Sequence, residues 1–183
     1  MSTENIDENL KNNENSIPNI NELEITNSND RNTFEQKCLY PALKLIYSGI
    51  MGSSNQPIIV GSTALYLQEI YYDKFPNDID VCILNKSDVF KYNIAFGRMC
   101  KKYGFNVDFI TYDTQNTDET SYTKINVNDI TILAAVKEKC IDFLQSFRDF
   151  YIEKNNSERA QKYAEKLIYL QEHYPELFNV SDE

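Results

Sequence analysis

Residues 77–84 read Asn-Asp-Ile-Asp-Val-Cys-Ile-Leu, in which acidic and apolar side chains alternate along the chain. A period of two is typical of a β-strand that buries one face. Such a strand would bury Ile79, Val81 and Ile83 and present Asp78 and Asp80 on its other face, with their Cα atoms roughly 6–7 Å apart. Two carboxylates at this spacing repel each other unless a cation binds them. The strand is therefore a candidate divalent-metal site.

The composition limits the class of protein. The chain has 183 residues, 42% of them hydrophobic, and a formal net charge of −10. It is long enough for one domain with a sizeable core and a tail. The acidity argues against a broad nucleic-acid surface, because phosphate binding normally needs a basic one. A local basic patch, or a metal that reverses the local sign, is the alternative.

The cysteine usage and the apolar runs predict a location. The four cysteines are widely spaced and form no Cys-x-x-Cys pair, which indicates buried thiols in a reducing compartment. No apolar run approaches the roughly 20 residues of a transmembrane helix, and the chain does not start like a signal peptide. We expect a soluble, intracellular (cytoplasmic) protein without a membrane partner.

The chain divides into a tail and a domain. Residues 1–32 hold ten asparagines and seven acids without a sustained apolar period, which predicts a disordered Asn/Glu-rich tail. Residues 33–183 form the predicted domain, with a core over 57–127 and a C-terminal helical section over 128–178. The predicted strands are 58–60, 78–84, 105–110 and 121–127.

Amphipathic patterns predict the helices. They cover residues from 34 to 49 with Pro41 in the first turn of the main helix, from 62 to 71, from 86 to 103, from 129 to 151 and from 160 to 174. The predicted fold class is α/β (α+β): a small mixed β-sheet with flanking helices, plus the C-terminal helices. Ser62 and Ser87 are predicted N-caps, and Gly104 is a predicted C-terminal cap.

Gly61 and Ser62 stand where the strand ending at Val60 turns into a helix. The chain has only five glycines, so one at this junction indicates a positive φ or the close approach of another group. Free N–H groups at a helix start bind anions such as phosphate. A tight turn with a capping serine is the alternative interpretation.

Asp108 is the third acid of the pattern. It alternates with Val107 and Phe109 and would project from the face opposite to them. Three short strands side by side would bring Asp78, Asp80 and Asp108 near the Gly61–Ser62 turn. Carboxylates together with substrate phosphates are the ligands that Mg²⁺ prefers. The set therefore indicates nucleotidyl transfer.

The ordered set of Gly61-Ser62, Asp78, Asp80 and Asp108 resembles the signature of the DNA polymerase β-like nucleotidyltransferase superfamily. Within it, the chain looks most like small members of the AbiEii toxin and minimal nucleotidyltransferase type. The motifs cover residues 57–111. The resemblance implies a nucleotidyltransferase-like fold in which Gly61 and Ser62 contact the triphosphate.

The same resemblance implies the remaining roles. Asp78, Asp80 and Asp108 would hold two Mg²⁺ or Mn²⁺ ions, and Asp108 would also help to activate the acceptor hydroxyl. Lys137 matches a lysine often found in such proteins and would bind the nucleotide. Fifteen residues separate Ser62 from Asp78, slightly more than is usual, which demands a longer helix or turn.

The implied function is metal-dependent transfer of a nucleoside monophosphate from an NTP to a hydroxyl of an RNA, a protein or a small molecule. A non-catalytic interaction module, or a nucleotide- or metal-binding sensor on the same scaffold, is the alternative. Arg98, Lys101 and Lys102 form either a solvated helix face or a patch that offsets the acidic surface locally. The tyrosines have core-like spacing, and none is assigned to base stacking.

Overall fold

Five strands form one mixed sheet in a computed structural model that describes residues 16–50, 56–111 and 121–178. The strands are β1 (Ile58–Val60), β2 (Asp78–Ile83), β3 (Asn106–Thr111), β4 (Tyr122–Val127) and β5 (Ile130–Ala135). Their order across the sheet is β3-β2-β1-β5-β4. Strand β2 runs antiparallel to β1 and parallel to β3, whereas β5 runs parallel to β1 and antiparallel to β4. The predicted α/β class with a mixed sheet is confirmed.

The described residues also form six α-helices. They are α1 (Ser28–Phe34), α2 (Tyr40–Ile50), α3 (Gly61–Leu67), α4 (Lys86–Cys100), α5 (Lys137–Glu153) and α6 (Ser157–His173). Helix α4 packs on β3, α3 packs on β1 and β2, and α5 packs against both α3 and α6. Within the described ranges, no helix is long and apolar enough to cross a membrane. All four cysteines are free and buried, as predicted.

Strand β2 forms because its alternate residues fit opposite environments. Ile79, Val81 and Ile83 are fully buried, whereas Asp78 and Asp80 are only partly so. The neighbouring strand β3 lies at the edge of the sheet. There the side chain of Asn93 accepts from the N–H of Phe109 at 2.6 Å and donates to its carbonyl at 3.2 Å. These two bonds satisfy backbone groups that an edge strand would otherwise leave unpaired.

The predicted helix over residues 129–151 is wrong in its first part, because β5 occupies 130–135 and α5 begins only at Lys137. Val127 pairs with Ile130, so Asn128 and Asp129 form a two-residue hairpin loop. Asn128 has a φ of +51°, which such loops require and asparagine tolerates. Strand β5 is buried along most of its length, so its apolar residues run on without the alternation of a half-buried strand. The C-terminal helical section therefore starts at Lys137.

The predicted disordered tail is wrong for residues 16–32, and residues 1–15 lie outside the described part of the chain. Ile20 and Ile25 are buried in the main core. Two of the asparagines are N-caps: Asn19 accepts from the N–H of Asn21, and Asn27 caps α1. A short 3₁₀ turn and irregular backbone connect these residues, which is why their apolar side chains show no period.

Two helix starts differ in detail from the predictions. Helix α2 begins at Tyr40 with Pro41 in its first turn, as predicted, but a π-helical turn over Glu35–Leu39 joins it directly to α1. Helix α4 is capped by the side chain of Asn85, which accepts from the N–H of Ser87. Gly104 has a φ of +86° after the last turn of that helix, as its predicted role requires.

Candidate functional site

The three predicted carboxylates lie on one face of the sheet. Asp78 and Asp80 alternate with buried residues along β2, and Asp80 is the register partner of Asp108 on the parallel strand β3. Register partners project from the same face of a sheet. Asp80 and Asp78 are partly buried, whereas Asp108 is exposed. The sheet thus presents an acidic face, defined here as Asp78, Asp80 and Asp108.

Asp80 is the electrostatic centre of the acidic face. Burial, and after it the nearby Asp78 and Asp108 carboxylates, raise the pKa of its carboxyl group to about 6. Lys166 and Lys162 act in the opposite direction. A buried carboxylate whose nearest acids disfavour its charge gains from any cation that reaches it.

Gly61 meets both requirements that its position suggested. Its φ is +66°, and a Cβ atom there would lie 2.8 Å from Oδ2 of Asp80. A side chain at this position would therefore strain the backbone and press on the carboxylate. Helix α3 starts at Gly61 and holds the acidic strand in place, because the Thr63 hydroxyl donates to the carbonyl of Asp78 at 2.6 Å.

Ser62 does not cap α3, contrary to the prediction. The N-cap residue is Val60, which offers no side-chain hydrogen bond to the helix. Ser62 instead lies inside the first turn, nearly buried, and its hydroxyl accepts from Nζ of Lys166 at 2.7 Å. The interaction places a cation from α6 at the start of α3.

Helix α6 presents a cationic stripe to this region. Lys162 Nζ lies 3.4 Å from Oδ2 of Asp78, and Lys166 reaches Ser62 one turn later. Arg159 and Tyr163 share that side of the helix by their spacing of three and four residues. Burial, and after it Asp80, raise the pKa of the Tyr163 hydroxyl to about 12. The pKa of the Arg159 guanidinium is raised mainly by its hydrogen bond to Tyr151, and Asp108 acts in the same direction. We call Arg159, Lys162, Tyr163 and Lys166 the α6 stripe.

Lys166 is held in a largely desolvated position. Burial, and then the nearby Lys162, lowers the pKa of its ammonium group, whereas Asp78 and Asp80 raise it. Its Nζ also lies 5.8 Å from the centre of the Tyr72 ring. The hydroxyl of Tyr72 is buried beside Ser62, yet no hydrogen bond of ordinary geometry satisfies it within the described chain. Both groups would gain from a polar or anionic ligand.

A row of aromatic rings continues from the α6 stripe onto α5. Tyr163 stacks on Phe147 at 5.5 Å and on Tyr151 at 5.7 Å between ring centroids. Arg159 donates to the hydroxyl of Tyr151 at 2.8 Å and its guanidinium lies over the same ring. The stack fixes the position of Tyr163 and Arg159 beside the carboxylates.

A cleft of about 530 Å³ opens next to Ser62 and Asp78. Its walls come from residues between 20 and 26 and from the connector between α3 and β2, and Lys162 and Lys166 line it as well. The segment predicted to be disordered thus contributes to the cleft. The connector, rather than a longer helix, takes up the unusual interval between Ser62 and Asp78, since α3 ends at Leu67.

The structure brings together most of the predicted site residues, and it adds others. Gly61, Ser62, Asp78, Asp80 and Asp108 surround one point on the sheet, as the register and contacts above establish. Lys137 begins α5 and makes no ion pair or hydrogen bond with the described residues of this site, so its nucleotide-binding role stays a prediction. Lys162, Lys166 and Tyr163 were missed. Their signal was a polar stripe at helical spacing, which most solvated helices also show.

The carboxylate oxygens of the acidic face are ligands that a hard divalent cation prefers, but they do not complete its coordination. The oxygens of Asp78 and Asp80, and the raised pKa of Asp80, favour a cation there. Among residues 16–50, 56–111 and 121–178, however, no group of three or more His, Cys, Asp or Glu side chains is placed to hold a metal ion. Oxygens from a substrate would have to complete the coordination, which is how Mg²⁺ is commonly bound beside phosphates.

No protein-family model and no curated protein matches the chain. Among solved structures, the chain is similar to the solution structure of the antibiotic-resistance factor ANT(2'')-Ia. That likeness has a TM-score of 0.43 and 10% sequence identity, and it covers 76% of this chain and 92% of the other. The narrower AbiEii-type resemblance finds no support in these comparisons and stays a prediction.

Proposed function

We propose that this protein is a metal-dependent nucleotidyltransferase of the DNA polymerase β-like type, which transfers a nucleoside monophosphate from an NTP to an acceptor hydroxyl. The observation that carries the proposal is the apposition of the acidic face and the α6 stripe. Three carboxylates on adjacent strands face three cations on one helix, and Lys162 joins the two sets through Asp78. Such an arrangement suits a ligand that carries both phosphates and a divalent cation.

The triphosphate would lie between Ser62 and the α6 stripe. Helix α3 has only two turns, so its N-terminus alone is a weak anion site. Lys166 and Lys162 supply the positive charge, and Ser62 supplies a hydroxyl that already holds Lys166 in place. The buried hydroxyl of Tyr72, which lies beside Ser62, is a further donor at the same point.

Asp78 and Asp80 would hold a Mg²⁺ or Mn²⁺ ion together with the phosphates, with Asp108 as a third ligand. Bound there, the ion supplies neutralisation of the charge on the phosphate oxygens. Asp80 needs this cation most, because burial and both of the other carboxylates disfavour its charged form.

Asp108 is exposed and can receive a proton from an acceptor hydroxyl. The acceptor oxygen forms a bond to the α-phosphorus, the bond to the oxygen of the β-phosphate breaks, and pyrophosphate leaves with the electron pair. The acceptor proton passes to the Asp108 carboxylate or to water beside it. The nature of the acceptor, whether RNA, protein or small molecule, is left to experiment.

Label transfer tests the proposal. The purified chain is incubated with each α-³²P-labelled NTP, Mg²⁺ or Mn²⁺, and an extract that contains RNA, proteins and small molecules. We expect label in one class of acceptor with wild type, and none with Asp80→Asn or without divalent metal. Asp129→Asn is the matched control, because Asp129 pairs with Lys44 away from the acidic face.

Two results would favour the alternatives. Melting temperature raised by an NTP with metal, without transfer to any acceptor, indicates a sensor. No thermal shift and no transfer with any NTP indicates a non-catalytic interaction module on this scaffold.

A further inference from the structure

Helix α4 has two apolar faces, of which the fold uses one. Tyr92, Phe96 and Cys100 recur every four residues and are buried against the sheet. On the opposite side, Phe90 is 75% exposed and Ile94 is 48% exposed. A helix that covers one side of a sheet normally presents polar residues to solvent. Single exposed apolar residues are common, but these two are one turn apart and form a patch.

Gly97 continues this patch. It lies seven residues after Phe90 and three after Ile94, so the three residues share one side of the helix. A Cβ atom at Gly97 would meet nothing within 4 Å, so packing inside the molecule gives no reason for a glycine there. Glycine is a poor helix former. A glycine on an open apolar stripe is instead suited to the close approach of another backbone.

Cations surround the patch. Residues 86–102 contain one acid and five basic residues, in a chain whose net charge is −10. The basic residues are Lys86, Lys91, Arg98, Lys101 and Lys102. The salt bridges of the described residues use other cations: Lys44, Lys139, Arg148 and Lys162. Lys91 lies over the Tyr92 ring and Lys102 over the Tyr103 ring, and a cation in such a contact can still pair with a carboxylate of a partner.

We propose that the outer face of α4, formed by Phe90, Ile94 and Gly97 with the surrounding cations, is a docking site for an acidic amphipathic helix of a partner protein. Its apolar side chains would cover Phe90 and Ile94, its backbone would approach at Gly97, and its carboxylates would pair with the basic rim. The proposal is independent of the nucleotidyltransferase function, since it involves none of the acidic face or the α6 stripe.

A protein helix fits this surface better than RNA or a membrane. RNA would gain from the cations and from stacking of one base on Phe90, but Ile94 and the open Gly97 offer a base no stacking surface. Two exposed apolar residues bury too little area to anchor the protein to a membrane, and the open space beside Gly97 does not strengthen contact with lipid tails. Charge complementarity, a narrow apolar stripe and an open glycine together favour helix-on-helix packing.

The test uses fluorescently labelled synthetic probes and the full chain. The main probe is a helical peptide of about 20 residues, with leucines along one face and glutamates elsewhere. Comparison probes are the same peptide with lysines replacing glutamates, poly(U) RNA, and phosphatidylcholine vesicles that contain phosphatidylserine. We expect the acidic peptide to bind and its affinity to fall by at least about tenfold when salt rises from 50 to 300 mM.

Variants separate this surface from general stickiness. Phe90→Ser with Ile94→Ser should weaken binding of the acidic peptide by at least about tenfold. The matched control is Ile152→Ser with Ile168→Ser, which removes two apolar residues that are 58% and 55% exposed on α5 and α6. That control should leave binding unchanged. Melting temperatures of both pairs of variants show whether each still folds.

Gly97→Gln best separates binding from folding, because the position has open space and glutamine is a better helix former than glycine. We expect unchanged or higher melting temperature and weaker peptide binding. Equal binding of the lysine peptide, loss of binding in the control variant, or Gly97→Gln binding like wild type would overturn the proposal. The proposal would also be overturned if the peptide did not bind but RNA, vesicles or a second copy of the chain did, with that binding lost in the Phe90→Ser, Ile94→Ser variant. Sedimentation detects the second copy.

Discussion

The acidic face and the α6 stripe meet at one point in the fold, yet the sequence reveals them very unequally. Asp78 and Asp80 sit in a strand whose alternation is distinctive, and Asp108 repeats it on β3. Lys162 and Lys166 sit on an amphipathic helix, where lysines on the polar side are ordinary. The difference shows that local patterns identify the half of a site built on strands. The α6 stripe comes from a helix distant in sequence, so its position beside the carboxylates is known only from the tertiary structure.

Removing the central carboxylate should have the largest effect. Asp80→Asn keeps the shape but loses the charge that would bind the metal, so we expect transfer activity to fall by at least about a thousandfold. The measurement is the initial rate of label transfer to the acceptor that the extract experiment identifies. Lys44→Met, which affects only a surface pair, should stay within about twofold of wild type. A comparable loss in both variants would contradict a special role for the acidic face.

Removing the buried cation tests the other half. Lys166→Met should raise KM for the NTP by about 10- to 100-fold, since it removes a charged contact to phosphate at a desolvated position. The kcat should change less. Lys154→Met is the matched control, because Lys154 lies at the exposed end of α5. An unchanged KM with Lys166→Met would show that the α6 stripe does not take part in nucleotide binding.

The pH dependence of stability tests the electrostatics of the acidic face without a substrate. The pKa of Asp80 is about 6 in the folded chain and near 3.8 when unfolded. The folded state therefore binds more protons between these values, and stability falls as pH rises from about 4 to 6. Asp80→Asn removes this cost and should stabilise the protein by about 2 kcal/mol at pH 7.

At pH 4 the same substitution should have little effect, because the carboxyl group is then mostly protonated in the folded state. Urea unfolding at both pH values gives the comparison. A stabilisation of equal size at pH 4 and pH 7 would mean that the charge of Asp80 is not its cause.

The glycines provide the smallest expected effect. Gly61→Ala should destabilise the protein by about 1–2 kcal/mol, because φ is +66° and the new Cβ would press on Asp80. Gly97→Ala is the matched substitution in open helix and should stabilise by about 0.5–1 kcal/mol. Thermal melts of both variants suffice. Opposite signs are required; the same sign for both would mean that the Gly61 turn is not constrained by the acidic face.

Much of the sheet was predictable because its strands carry local signals. The alternation in β2 and β3 and the glycine after β1 place the five candidate residues Gly61, Ser62, Asp78, Asp80 and Asp108 on the correct elements. Strand β5 was not predictable, because a strand buried on both sides has the same apolar content as a segment of buried helix. Only its pairing with β1 and β4 shows that it is a strand. Residues 16–32 were missed for a related reason. Ile20 and Ile25 are buried one at a time by tertiary contacts, without a local period.

If the proposed function is right, the acidic face and the α6 stripe form one site for an NTP and a divalent metal. The most direct measurement is calorimetric titration of each NTP into wild type, Asp80→Asn and the double variant Lys162→Met with Lys166→Met, with and without Mn²⁺. The prediction is that wild type binds at least one NTP only when Mn²⁺ is present, and that both variants lose this binding. An NTP that binds equally to all three proteins, or that needs no metal, would contradict it.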